Sequence, residues 1–251
     1  MPVNTSWGQS ADWYDSHLKK DDTYHSTIIL PNLLKAMKIK LGQRILEIGG
    51  GTGFFANEFQ RLGAIVTVTD VAEELLKIGM QKYPEVNFKK CKGSQVDEKF
   101  DEDFFNLVTM ILCLQNIEDF EPTLRSVARV MKGGARLYIV LNHPVLRVPR
   151  QSSWVWDEKN NTQFRRLDGY MSEVSIPMQM HPGADPEEKT WTFHRPLSAY
   201  FRAFRASGFV ITRLDEWCSQ KVSVGAKAKQ ENRMREEIPL FMSIELTKIK
   251  L

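Results

Sequence analysis

Residues 43–70 constrain the chain more than any other stretch. "QRILEI" is a short apolar run of strand character, and "GGGTG" follows it. "FFANEFQRLG" reads as a helix closed by Gly63, and "AIVTVTD" as a β-branched second strand. Glycines in such a loop let the backbone turn sharply and let a ligand approach it. The helix N-terminus beside them offers unpaired N–H groups. Gly51 to Ala56 fit the relaxed G-x-G-x-x-A fingerprint. Asp70 ends the second strand, 19 positions after Gly51 and 21 after Gly49, where a carboxylate can accept both hydroxyls of a ribose. A plain turn, with Asp70 as the N-cap of "AEELLKIG", would use the same residues. The ordered succession of strand, glycines, helix and strand-terminal acid favours a nucleotide-like cofactor.

Glu47 narrows the choice. It lies inside the first strand, two residues before the first glycine. A carboxylate there repels the pyrophosphate of a dinucleotide and attracts a cation. S-adenosylmethionine carries a sulfonium and an ammonium and no phosphate, so it suits the acid better. A Glu47 paired with Arg44 or a nearby lysine would carry no such meaning.

The rest of the chain extends the pattern. "ADWYDSHLKK" and "STIILPNLLKAMKI" are helical, with Pro31 in the first turn of the second helix or kinking it. "AEELLKIGMQKY" is a helix, "VNFKKC" a weaker third strand and "FFNLVTMIL" a fourth. "FEPTLRSVARVMKGG" is a helix ended by Gly133 and Gly134, and "ARLYIVLN" is a fifth strand. This alternation predicts an α/β fold, a doubly wound parallel sheet with helices on both faces. From 143 to 195 periodicity is lost. "PLSAYFRAFRASG" restores a helix, and "FVITRLDEW" and "PLFMSIELTKI" are two late strands. The charged stretch between those strands reads as a loop with a solvated helical piece.

A length of 251 residues suits one α/β domain with a sizeable insertion. Lys and Arg number 34 against 31 Asp and Glu, so a net charge of +3 gives no strong push towards nucleic acid. The chain has no basic-then-apolar leader and no run of 18 apolar residues, so a cytoplasmic location without a membrane span is expected. Cys91, Cys113 and Cys218 are far apart and lack CxxC spacing, which argues against a disulfide framework or a metal site.

"ILEIGGGTGFFANEFQRLGAIVTVTD" resembles the first two motifs of class I S-adenosylmethionine-dependent methyltransferases. "FFNLVTMILCLQNIEDFEPTLRSVARVMKGGARLYIV" is similar to their later core. The resemblance implies a Rossmann-like, seven-stranded methyltransferase sheet, mostly parallel with an antiparallel last strand. It divides the chain into an N-terminal helical cap (1–40), a cofactor-binding domain (41–142 and 196–251) and an inserted lid or acceptor-binding segment (143–195). "HPVLRVPRQSSW" and "TWTFHRPLSAYFRAFRASGF" resemble a bacterial small-molecule-type subgroup with such an insertion.

The resemblance also assigns residues. Gly49, Gly50, Gly51 and Gly53 line the methionine end of the cofactor, and Glu47 helps hold its amino group. Asp70 takes the ribose, and Val71 packs on the adenine. Ser94 and Gln95 stand where relatives often have an Asp and a small residue near that adenine. Asn106 replaces an acid common at the start of strand four, and Gln115 replaces a common His. Met110, Ile111 and Gln115 wall the transferable methyl. Tyr14, Tyr24 and His25 fold over the pocket from the N-terminal helices.

In doubly wound folds, ligands meet at the carboxyl ends of the strands. His143 follows strand five directly, and Arg147, Arg150, Trp154 and Trp156 come next, before "RRLDGYMSE", "MQMHPG" and "TWTFHRP". Aromatic walls with a few basic groups suit a planar or anionic small-molecule acceptor, although the same residues would also build a second small core. A sulfonium already activates its methyl group, so a base is needed only for a protonated nucleophile. His143 is the first candidate for that base and His194 the second. An NAD-dependent oxidoreductase would explain the glycines and Asp70 but not Glu47, the helical prefix or the late strand pair. A cofactor-binding protein without catalysis stays open. Basic residues at 147, 150, 165 and 166 permit an RNA acceptor, which the net charge does little to support.

Overall fold

The computed structural model describes residues 5–18, 20–179 and 189–249. Helix α1 (Ala11–Leu18) is followed by a π turn over His25–Ile29 that runs directly into α2 (Leu30–Met37). Pro31 sits in the first turn of α2, at the junction with the π turn. The alternating core follows: β1 (Arg44–Ile48), α3 (Phe54–Arg61), β2 (Ile65–Asp70), α4 (Glu73–Lys82), β3 (Asn87–Lys90), β4 (Phe105–Ile111), α5 (Phe120–Val130) and β5 (Met131–Asn142). Two hairpins come next, β6 (Ser152–Asp157) with β7 (Thr162–Leu167), and β8 (Val174–Gln179) with β9 (Lys189–His194). The chain closes with α6 (Leu197–Ala206), β10 (Phe209–Trp217), α7 (Ala228–Glu237) and β11 (Phe241–Lys248).

Seven strands form one sheet in the order β10-β11-β5-β4-β1-β2-β3. Neighbours from β5 to β3 pair in parallel, and β11 runs antiparallel to both β5 and β10. This is the expected doubly wound sheet with its antiparallel last strand. Alternation along each strand builds a core on each face. Leu46, Val108, Leu137 and Ile139 pack with α5 and α6 on one face. Ile45, Leu107, Tyr138 and Val140 pack with α2 and α3 on the other.

Two expectations are corrected. Helix α5 stops at Val130, short of the glycine pair. Met131 is fully buried and pairs with Phe105, which pulls it into the sheet. Residues 132–135 then bulge out, with Gly134 at φ +77°, and regular pairing resumes at Arg136. The glycines thus turn the chain within the strand rather than end the helix. Residues 143–195, in which no periodicity was legible, hold the two hairpins. Their strands are mostly half-buried or exposed, so no apolar stripe marks them. The "HPG" of "MQMHPG" lies outside the described residues. The expected solvated helix is α7, whose one buried side chain is Met234.

Candidate active site

The strand order reverses between β1 and β4, so the loops after them diverge and leave a crevice. A cavity of about 800 Å³ opens there. Its floor is the carboxyl ends of the central strands: Ile48 and Gly49 at the end of β1, Asp70 at the end of β2, Ile111 and Leu112 at the end of β4, and Asn142 at the end of β5.

The glycine run is shaped by close approach. Gly49 has φ +64°, and a Cβ there would stand 2.6 Å from the Cβ of Cys113. At Gly50 a Cβ would come within 2.8 Å of Glu47 and of Val68. Gly53, at φ +78°, has Phe88 at 2.7 Å. Gly51 differs: at φ +55° its Cβ would meet only ordinary contacts at 3.6 Å, one of them the Tyr14 ring that leans over the loop. Gly49 and Gly51 line the cavity, while Gly50 and Gly53 carry the turn behind it.

Asp70 fastens the loop. Its Oδ2 accepts the Gly51 N–H at 2.9 Å and its Oδ1 accepts the Ala72 N–H at 2.8 Å. It lines the cavity and ties the loop to the strand end, but it is not the N-cap of α4: that position is Ala72, and no side chain caps the helix. Burial raises its carboxyl above the usual range, opposed by the N–H groups of Ala72, Gly51 and Val71. With three N–H groups on it, the carboxylate keeps a lone pair for a ligand.

Glu47 is 1% exposed. Strand alternation aims it at the α3 face, and burial pushes its carboxyl up to about 8, with Asp70 adding to the rise and the Ala56 N–H opposing it. Its Oε2 has no hydrogen-bond partner. Arg44 does not neutralise it, because that guanidinium lies over the Phe104 ring at 4.3 Å. Glu47 lies behind the glycines and not among the residues that line the cavity, and a cationic ligand at the loop would favour its ionised form.

Of the other expected cofactor residues, Tyr14, Val71, Ser94, Ile111 and Gln115 line the cavity. Burial, with Asp70 and Glu47 nearby, raises the Tyr14 hydroxyl and keeps it neutral. Gln95 is exposed and points its amide at Glu98, and Met110 is fully buried in the core. Gln115 donates from Nε2 to the carbonyl of Leu112, a residue held at φ +54°. Asn106 accepts the Arg44 N–H instead of facing the cavity.

Among the expected acceptor residues, His25, Arg147 and Arg150 line the cavity. His25 packs edge-on to Tyr14 and Phe54, and burial holds its imidazole down at about 4. Tyr24, Trp154 and Trp156 do not line it: Tyr24 packs on Phe241, Trp154 stacks under Arg165, and Trp156 lies beneath Lys227. His194 lines the cavity and its Nε2 donates to the Tyr170 carbonyl at 2.8 Å, which leaves the lone pair on Nδ1. His143 lies outside it, buried, with Nε2 at 2.6 Å from Glu216.

Several cavity residues had no sequence signal. Cys113 packs its thiol 3.0 Å from the Ile48 carbonyl. Arg195 is buried against Phe120 and Phe193. Buried polar atoms of His25, Gln115, Thr123, Thr190 and Arg195, all cavity residues, have no partner within the protein. Such a concentration of orphaned groups is expected where a ligand completes the bonding. Among the described residues, no group of His, Cys, Asp and Glu is arranged to hold a metal, and no helix is long and apolar enough to cross a membrane.

Residues 46–139 match the methyltransferase domain family. The chain is 33% identical over 165 residues to the ubiquinone/menaquinone biosynthesis C-methyltransferase UbiE of Photorhabdus laumondii, covering 61% of this chain and 65% of that protein. It is 34% identical over 113 residues to the Vibrio parahaemolyticus UbiE, covering 42% and 44%. The chain thus aligns with less than two thirds of either relative. An S-adenosylmethionine dependent methyltransferase from Mesorhizobium loti superposes with a TM-score of 0.71 at 22% identity, covering 91% of this chain and 99% of that one. That last likeness is one of fold. The sequence match over the glycine loop and central strands, joined to this sheet order, makes the chain similar to the class I S-adenosylmethionine-dependent methyltransferases.

Proposed function

We propose that this protein is an enzyme that transfers a methyl group from S-adenosylmethionine to a small-molecule acceptor. The observation that carries the reading is the pair of acids behind and beside the glycine loop. Glu47 keeps an unpartnered buried oxygen, and Asp70 holds the loop open with a lone pair to spare. A dinucleotide pyrophosphate would suppress the ionisation of both acids further and find no cationic partner among them, which argues against an NAD-dependent oxidoreductase.

Gly49 and Gly51 would admit the methionine end of the cofactor, Glu47 would draw its cation, and Asp70 would take the ribose. Val71 and Ser94 would flank the adenine, and Tyr14 with His25 would cover the loop. Bound S-adenosylmethionine supplies a methyl group already activated by its sulfonium. The chain then has to align the acceptor and exclude water. Burial of Gln115, Thr190 and Arg195 around the cavity supports that exclusion. The base, where a proton must leave, is His194, which has the lone pair of Nδ1 and a wall position. The acceptor atom is oxygen, nitrogen or carbon, and the relatives' printed name, which describes C-methylation, supports carbon.

Thermal unfolding with each cofactor tests the reading. S-adenosylhomocysteine at about 100 times its dissociation constant should add about 2.7 kcal/mol. For this length that is a rise of roughly 5–10 °C. Stabilisation by NAD with no response to S-adenosylmethionine or its demethylated product would overturn it. A screen of small-molecule acceptors for methyl transfer then separates an enzyme from a binding protein.

A further inference from the structure

The far end of the cavity has the opposite sign. Arg147, Arg150, Arg165 and Arg195 all line it. Arg147 donates to Asn142 Oδ1 and Arg150 to the Pro177 carbonyl. Arg165 donates to the Leu146 carbonyl and to Ser152 Oγ. Arg195 Nη2 donates to the carbonyls of Ile117 and Glu118. Every one of these partners is a neutral oxygen, and among the described residues none of the four arginines is paired with a carboxylate. The acids whose charge reaches Arg195, Glu173 and Glu118, are both exposed, and neither forms an ion pair with it.

Arg195 is the telling member. It is 5% exposed, held between the Phe120 ring at 4.1 Å and the Phe193 ring at 5.1 Å. Its Nη1 has no hydrogen-bond partner. Burial lowers the guanidinium below its ordinary range. The nearby Tyr200 hydroxyl favours the charge but makes no hydrogen bond of good geometry to Nη1. A desolvated guanidinium with free donors costs stability unless an anion completes it. Two carbonyl bonds and two ring faces fix its plane, so the free donors are preorganised.

We propose that the acceptor carries an oxyanion, a carboxylate or a phosphate, which Arg195 binds through Nη1 while Arg165 and the rim arginines supply the surrounding positive field. This names the substrate class of the methyltransferase site proposed above and rests on that reading. It separates the chain from a neutral quinol acceptor, whose hydroxyls and apolar body leave the arginines unsatisfied.

The test uses the full chain saturated with S-adenosylhomocysteine. Unfolding temperature is followed against benzoate, phenyl phosphate, benzamide and 1,4-naphthohydroquinone. Benzoate or phenyl phosphate should raise it in a dose-dependent way at concentrations where the two neutral probes do not. The stronger of the two anions identifies carboxylate or phosphate. Arg195→Gln should weaken that anion about tenfold or more, and Arg195→Lys less so. If Arg195→Gln does not fold, Arg165→Gln, changed at a half-buried position, should weaken the same anion severalfold. Equal stabilisation by benzamide or naphthohydroquinone, or a benzoate response untouched in the folded variants, overturns the proposal. So does a loss of S-adenosylhomocysteine affinity in Arg195→Gln, which would give the guanidinium to the cofactor's own carboxylate. A chain that ignores S-adenosylhomocysteine yet binds benzoate through Arg195 keeps the anion site and removes the methyltransferase reading.

Discussion

Glu47→Gln tests the charge logic of the cofactor end. Burial pushes the Glu47 carboxyl from its ordinary 4.5 up to about 8. Between those pH values the folded chain holds a proton there that the unfolded chain has lost. The stability this contributes is full below pH 4.5 and is lost as pH rises through 8. At about 1.36 kcal/mol per pH unit, the loss reaches about 3 kcal/mol at pH 7. Exposure of 1% leaves little solvent screening to reduce it. Glutamine cannot ionise, so the variant escapes the loss. Asp70 is common to both proteins and largely cancels in the difference. Urea unfolding at pH 5, 6, 7 and 8 should show the variant gaining on the wild type through the window and levelling above it. At neutral pH the gain corresponds to roughly 6–12 °C in Tm. Binding should move the other way. A cationic cofactor stabilises the ionised carboxylate, so at pH 7 the wild type should release about one proton per bound S-adenosylmethionine. The variant should bind more weakly and release none from this site, which calorimetry in buffers of different ionisation enthalpy reads directly. A stability difference that stays constant from pH 5 to 8 would refute the reasoning.

Asp70→Asn keeps the shape but removes the charge and turns one of the two accepting oxygens into a donor facing a backbone N–H, and should weaken S-adenosylhomocysteine about tenfold and cost the free protein about 1–2 kcal/mol; isothermal calorimetry and a urea titration check the two halves. Gly49→Ala forces a side chain to φ +64° with Cys113 2.6 Å away, and should cost about 1–3 kcal/mol in urea unfolding; an unchanged midpoint counts against the close approach. His25 is held at about 4 by burial, first, and by His17. Its folded value lies below its unfolded one, so stability tied to it is lost as pH falls from 6.5 towards 4. His25→Gln should therefore flatten the acid limb of the stability curve, and NMR titration should find the imidazole neutral at pH 5.

The βαβ unit was legible because its signals are local. Glycines that need positive φ, a β-branched strand and a terminal acid all fall within residues 43–70. Glu47 was legible for the same reason: an acid inside an apolar strand stands out before any contact is known. The hairpins of 143–195 were not, because strands with little buried surface show no alternation of apolar and polar residues. Trp154 and Trp156 suggested a pocket wall by residue type, yet neither lines the cavity: they lie against the guanidinium of Arg165 and the ammonium of Lys227. Arg195 looked like one basic residue among many. Its importance comes from Phe120, Ile117 and Glu118, which lie more than seventy positions earlier and meet it only in the fold.

A net charge of +3 hides how the charges are divided. The acids of the site come from the tips of β1 and β2, on one side of the crevice. The arginines come from the segment after β5, which the antiparallel end of the sheet carries to the other side. Sorting of two substrates follows from this topology. A cation entering the far end would meet Arg195 and Arg165, and an oxyanion entering the glycine end would meet Asp70. In a cavity of low dielectric each wrong placement is repulsive, so discrimination rests on these unfavourable encounters as much as on the favourable ones. The raised Glu47 carboxyl fits the same scheme: it stays protonated while the site lacks a cation and becomes a full counter-charge when one arrives.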